Sequence, residues 1–367
     1  MQSVHISDVL SYKTCRRAWD WSSPLRQNLE PAKLYAPFFT GQAVHAAMEM
    51  FYKEGIPFDE TATAFIKSHA LQVEAAGLVQ DFEEDAIEDQ SELIFGMLWH
   101  YNLWRSKYVG SFADREFEFL PQYTEYEFKV PIYNPEGKKS NRVQLSGRVD
   151  NIARHRQTGK LWIWEFKTCR SLQERIALLP FDEQASAYLS AAQEFLGEPV
   201  EGILYTLMRK KSPSKPRLLQ NGQLSNAKNI DTTYEAFYMH CCAHYHLDPN
   251  DPATKGLLLQ RHGDVINELL GKPNKFFWRV PLRRTTEELR TASGALWQVA
   301  LEMVNPATPV WPHGGFHCQF CRFRVPCGEL NLGILRDKDL AEVSDDYRKR
   351  TGYYGPQINL GEFITDQ

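Results

Sequence analysis

Gly147-Arg148-Val149-Asp150 and, after the turn Arg156-Gln157-Thr158-Gly159, Trp164-Glu165-Phe166-Lys167 form the stretch that decides the reading of this chain. Residues 143–153 alternate apolar with polar side chains, and 160–168 follow beyond the turn. The spacing predicts two neighbouring strands of a meander that opens over 123–132. On a strand, residues two apart share a face, so Glu165 and Lys167 point one way and Phe166 the other. A hairpin-like connection brings Asp150 beside Glu165. Two carboxylates around one site suit Mg2+ or Mn2+, hard cations that take oxygen ligands. A lysine next to them can orient water or offset charge developing on a phosphoryl group. Glu-x-Lys alone is a common surface tripeptide. Here it sits among Val149, Ile152, Leu161, Ile163 and Phe166, on strands that read as buried, where unpaired carboxylates are costly.

Around these strands the period is helical. Over 41–53, Val44, Ala47, Met48 and Phe51 recur at helical spacing, with His45 and Glu49 one turn apart on another face. A helical stretch is expected over about 59–107 and another over 182–196, where Gln184 and Tyr188 stand at i, i+4. The apolar run 202–207 is bounded like a buried strand. Helix, three strands, helix, strand suggests an α/β fold, a mixed sheet flanked by helices. From Arg209 the pattern loosens: Arg209, Lys210 and Lys211 open a basic, proline-interrupted loop, either a solvated arm or a phosphate-contacting segment. Helix is expected over 226–272 and strand over 276–280. Thr285-x-x-Glu288 is a capping box that starts a helix running to about Val304.

Cys15 stands alone near the start, and Cys318, Cys321 and Cys327 form C-x2-C-x5-C near the end. A short helix from Ser7 to Tyr12 presents Cys15. Such spacing lets thiolates converge on one centre, either zinc or an iron-sulfur cluster, and would staple the two ends of the chain together. His240-Cys241-Cys242-x-His244-x-His246 also permits a metal pair on paper, but a helix carrying core and surface residues accounts for it. Cys169 reads as a small buried residue.

The chain has 367 residues, 43% hydrophobic and 24% charged, with a net charge of -4 and seven cysteines. This is globular composition. The odd, sparse cysteines favour reduced thiols and metal ligation over a disulfide framework. No run of about 18 apolar residues occurs, so no membrane partner is expected. Met1-Gln2-Ser3-Val4-His5 does not open a signal peptide, and a cytoplasmic location is expected. The mild acidity neither names nor excludes nucleic acid, because a local basic channel suffices to bind it.

In their order, these residues resemble the PD-(D/E)XK nuclease superfamily, in the branch of iron-sulfur exonucleases that includes the CRISPR-adaptation nuclease and the nuclease domain of AddB-type recombination enzymes. Gly41-x3-His45 is similar to the branch's helical histidine, Asp150 to its aspartate, Glu165-x-Lys167 to its acidic-x-lysine strand, and Gln184-x3-Tyr188 to its Q-x3-Y helix. The resemblance implies a restriction-endonuclease-like core with a helical subdomain and an iron-sulfur clasp. It implies Mg2+ or Mn2+ held by His45, Asp150, Glu165 and the carbonyl of Phe166. Lys167 would activate or position water, and Gln184 and Tyr188 would order the site or the strand. A 4Fe-4S cluster on Cys15, Cys318, Cys321 and Cys327 is implied, and so is DNA with single-stranded or frayed ends as substrate. A prokaryotic or phage setting in recombination, repair or CRISPR adaptation follows from the same likeness.

The expected organisation is a nuclease core with helical subdomain over 1–208, an insertion over 209–284 that could clamp DNA or bind a protein, and a C-terminal helix and cysteine cluster over 285–335. A polar tail over 336–367 completes it.

Overall fold

The computed structural model describes residues 1–31, 36–75, 84–108, 110–335 and 346–350. Two sheets organise it. β1 (Gln2–His5), β5 (Lys139–Val149) and β4 (Tyr126–Tyr133) form a three-stranded sheet in that order. β3 (Phe117–Phe119), β6 (Asn151–His155), β7 (Leu161–Cys169), β8 (Val200–Arg209) and β9 (Phe277–Leu282) form a five-stranded one. β7 and β8 run parallel and the other neighbours in this sheet antiparallel, so the sheet is mixed. A parallel pair needs a long crossover. α6 (Leu172–Leu178) and α7 (Glu183–Leu196) supply it.

The alternation over 143–153 is not one strand. It breaks at Asp150, and β5 and β6 on either side belong to different sheets. A short strand, β2 (Leu29–Pro31), pairs antiparallel with β10 (Tyr347–Lys349).

α1 (Ile6–Thr14), α7 and α10 (Thr286–Met303) cover one face through a core that includes Val4, Val130, Leu145, Ile163 and Tyr205. α10 begins with the expected capping box between Thr285 and Glu288. α3 (Ala36–Glu54), α4 (Phe58–Ala75) and α5 (Glu84–Lys107) cover the other face, where Val44, Met48 and Tyr101 pack with Trp164, Phe166 and Leu204. Residues 76–83 of the helical stretch expected over 59–107 lie outside the described residues. β7 is thus buried on both faces, as its nearly unbroken apolar run requires.

The stretch expected to be an insertion divides in two. β9 is an edge strand of the five-stranded sheet, paired with β8. α8 (Tyr234–Tyr245) and α9 (Pro252–Gly271) pack around their own small core of Phe237, Cys241, Leu258, Val265 and Ile266. Cys241 and Cys242 are buried there, while His244 bonds the Gly222 carbonyl at 3.0 Å, so these side chains pack and cap instead of meeting. β9 also carries Arg279, whose fully buried guanidinium pairs with Asp114 and lies over the rings of Trp104, Tyr108 and Trp164. No helix among the described residues is long and apolar enough to cross a membrane.

Candidate active site

The register of β6 on β7 pairs Asn151 with Trp164, which sets Asp150 opposite Glu165 at the junction of the two sheets. Asp150 Oδ2 accepts a hydrogen bond from the Phe166 N–H at 2.7 Å. Its other oxygen lies 3.5 Å from His45 Nδ1 on α3. Glu165 Oε2 accepts from Lys167 Nζ at 3.0 Å, and Oε1 accepts a long bond from the Asp150 N–H at 3.4 Å. Strand, helix and junction therefore bring His45, Asp150, Glu165 and Lys167 into one cluster. The ring of Phe166 stacks on Tyr52 in the opposite layer, with centroids 5.4 Å apart.

Glu125 is the residue the sequence reading missed. It precedes β4 in a left-handed conformation, φ 48°, and its N–H donates to the Asp150 carbonyl at 2.8 Å. One carboxylate oxygen pairs with Arg148 Nε at 2.7 Å. Single donor atoms of His45, Glu125 and Asp150 all lie within 4.8 Å of one another. The signal was the pairing of β4 with β5: Tyr126 opposes Val149, which puts the preceding residue beside Asp150. That register is a tertiary fact and leaves no local pattern.

Burial and the crowding of carboxylates dominate the electrostatics of the site. Glu165 is 1% exposed and Asp150 9%. Burial, then the Asp150 charge, raises Glu165 to about 7. The same two causes raise Glu125 to about 8. Burial works against ionisation of Asp150 too, but His45, Lys167 and the Phe166 N–H together hold it below the ordinary range. Burial opposes the charged forms of His45 and Lys167. The Asp150 carboxylate outweighs it for His45, and Glu165 with Asp150 outweighs it for Lys167, so both are raised. An oxygen-rich set of converging carboxylates, two of them raised by burial and by the Asp150 charge, fits a hard divalent ion.

The remaining residues fall further out. Gln184 is half-buried in the first turn of α7, its N–H bonded to Asp182 at 3.0 Å. Tyr188 is buried, edge-on to Phe128 at 5.6 Å. A Cβ at Gly147 would come within 2.5 Å of the Phe128 ring and 3.2 Å of Tyr188, so glycine lets this helix close on the strand that leads to Asp150. Arg209 and Lys211 both bond Asp231, at 2.9 and 2.6 Å, which offsets the charge expected to meet phosphate. Lys210 is half-buried, and its N–H bonds the Cys169 carbonyl at 2.8 Å.

The cysteines converge from both ends of the chain. Cys15 caps α1, and its sulfur accepts from the His313 N–H at 3.3 Å. Cys327, on α11 (Arg324–Asn331), accepts from Arg17 of α2 (Arg16–Ser22) at 3.4 Å. Burial, followed by the nearness of Cys15, Cys327 and Cys318, raises the Cys321 thiol. Trp21, Leu29 and Phe323 form a small core beside them.

A family model for the PD-(D/E)XK nuclease superfamily matches residues 5–328. The chain belongs to the PD-(D/E)XK nuclease superfamily. No curated protein matches it. The family's span takes in both sheets but for most of β1, the His45–Asp150–Glu165–Lys167 cluster, and Cys15, Cys318, Cys321 and Cys327. Proteins of this superfamily are nucleases that use divalent metal, and the carboxylate and histidine donors of this PD-(D/E)XK nuclease are arranged accordingly.

Proposed function

We propose that this PD-(D/E)XK nuclease hydrolyses phosphodiester bonds of DNA as an exonuclease on single-stranded or frayed ends, in recombination, repair or CRISPR-type adaptation. The observation that carries the reading is the buried junction of β5, β6 and β7, where Asp150, Glu165 and Lys167 meet His45. His45, Asp150 and Glu165 would hold Mg2+ or Mn2+ with the Phe166 carbonyl, and Glu125 adds a further oxygen donor. The bound ion supplies a Lewis acid for the phosphoryl oxygen. Lys167, kept cationic by Glu165 and Asp150, positions water or neutralises charge gathering on the phosphate. Tyr188 would act by fixing α7 against β4 and β5, and Gln184 by ordering the site or the strand.

The cysteine clasp holds a 4Fe-4S cluster in this reading. Its support is the convergence of the four thiols and their spacing. Among the described residues no three of these sulfurs lie within 4.8 Å of one another.

Cleavage of end-labelled linear and covalently closed circular single-stranded DNA with Mn2+, beside Lys167→Ala, tests the assignment. Loss of linear DNA alone marks an exonuclease, and loss of both an endonuclease. The self-contained core of α8 and α9 favours a second reading, an assembly subunit that grips DNA for a larger complex. That subunit would retard DNA in a gel without shortening it.

A further inference from the structure

The cysteine segment carries a surface that the clasp does not explain. Phe316 and Phe320 flank Cys318 and stand 75% and 63% exposed, their rings edge-to-face with centroids 5.6 Å apart. Trp311, also exposed, lies under the Arg16 guanidinium at 4.2 Å. Val325, in the helix that follows, is exposed too. A folded protein rarely leaves such rings in water unless something covers them.

Charge identifies what covers them. In a chain of net charge -4, residues 305–328 contain no acidic side chain. Arg322 and Arg324 are exposed in the same segment, with His313 exposed and His317 half-buried. Aromatic faces on which bases stack, interleaved with cations that follow a phosphate backbone, make a surface for single-stranded nucleic acid. A duplex hides its base faces and would leave the rings uncovered.

α1 links the segment to the site. β1 runs parallel to β5 with His5 beside Ser146, so the first turn of α1 lies at the end of β5 that leads into Asp150. At the other end of α1 the His313 N–H bonds the Cys15 sulfur at 3.3 Å, and the Arg17 N–H bonds the Trp311 carbonyl at 3.1 Å. The aromatic segment therefore packs at the C-terminal end of α1, the helix whose first turn adjoins the end of β5.

We infer that Phe316, Phe320 and Trp311, with Arg322 and Arg324, form a stacking platform for a single-stranded DNA segment entering the nuclease site. The inference rests on the nuclease reading for its direction, but its test does not. Binding of fluorescein-labelled oligothymidylate and of a blunt duplex to the full chain is followed by fluorescence anisotropy in chelator, where nothing is cut. Phe316→Ala/Phe320→Ala is expected to weaken single-strand binding about tenfold or more, because each stacked base contributes on the order of fivefold or above, and to leave duplex binding nearly unchanged. Phe316→Tyr/Phe320→Tyr, which keeps a stacking face, is expected to bind like the unmodified protein. Both positions are exposed, so melting curves are expected to coincide and any fold defect would be seen.

Unchanged single-strand affinity in the alanine variant overturns the platform and gives the patch to a protein contact. Equal losses on both DNAs, or loss in the tyrosine variant, overturn stacking as well. Oligothymidylate that binds through these rings but is never cut with Mn2+ leaves the platform standing and removes the nuclease reading.

Discussion

Asp150 and Glu165 face each other across the β6–β7 register, yet their carboxylates are held by different means. Asp150 is bonded by a backbone N–H at 2.7 Å, and Glu165 by the lysine two residues further along its own strand, at 3.0 Å. The first bond fixes a carboxylate without adding charge. The second brings a cation to the same side as the acid. The β5–β6 junction and β7 thereby present an ionised aspartate and a lysine to a common space, with a glutamate of raised pKa beside them.

Asp150→Asn keeps an acceptor for the Phe166 N–H, whereas Asp150→Ala leaves that buried donor unmet, at a cost of about 1–3 kcal/mol. Both variants are expected to lose cleavage by at least about a hundredfold, as does Lys167→Ala. Thermal melts should separate them, the asparagine variant remaining close to the unmodified protein. An active Asp150→Asn protein would remove Asp150 from the chemistry.

Glu125→Gln tests the carboxylate found only in the structure. Its oxygen lies within 4.8 Å of donors on His45 and Asp150. Loss of its charge should weaken Mn2+ binding about tenfold or more, read by calorimetry. The metal-free protein should not lose stability, because burial already disfavours the ionised form. Unaltered Mn2+ affinity would reduce Glu125 to a partner for Arg148.

The raised glutamates set opposite pH trends with and without metal. Glu165 and Glu125 lose their protons near 7 and 8 in the folded protein, against 4.5 for the ordinary side chain. Between those values the folded state binds more protons than the unfolded chain, so the stability of the chelated protein falls as pH rises through this window. Metal binding needs the ionised forms and expels the protons, so Mn2+ affinity should climb from about pH 6 to about pH 8. Titrations in buffers of different ionisation enthalpy would detect the released protons. A flat affinity profile with no proton release would show both acids already ionised.

The buried Arg279 makes a separate prediction about stability. Its guanidinium meets Asp114 and the Phe112 carbonyl and lies over three rings, a fit that a lysine ammonium does not reproduce. Arg279→Met should cost about 3–5 kcal/mol because Asp114 loses its closest cation, and Arg279→Lys should recover only part of that in denaturant melts. Full recovery by lysine would show that charge alone matters there.

What could be read from the sequence depended on the range of each interaction. Glu165, Phe166 and Lys167 were legible because a strand alternates its faces every two residues. The capping box of α10 was legible because Thr285 and Glu288 lie in one turn. The break at Asp150 left only the adjacent polar pair Asp150-Asn151, which interrupts the alternation but does not show that the chain passes there from one sheet to the other. β1 is four residues long, too short to show a period, and Glu125 reaches the site only through the register of β4 on β5. Arg279 and Asp114 stand 165 residues apart, and no local pattern joins them.

The cysteine clasp gives the last prediction. Cys15 ends α1 and Cys318, Cys321 and Cys327 lie near the far end of the chain, so one centre on these thiols closes a very long loop and removes unfolded-state entropy. A cluster should make the protein brown, with absorbance near ~400 nm. Cys15→Ser and Cys318→Ser should each bleach that band and lower Tm together, although the first change lies on α1 and the second near the C-terminal helix. DNA cleavage measured well below the lowered Tm should survive, because neither sulfur touches His45, Asp150 or Glu165. A colourless protein with one equivalent of zinc would overturn the iron-sulfur assignment while leaving the clasp. Melting curves unmoved by either serine would remove the clasp itself.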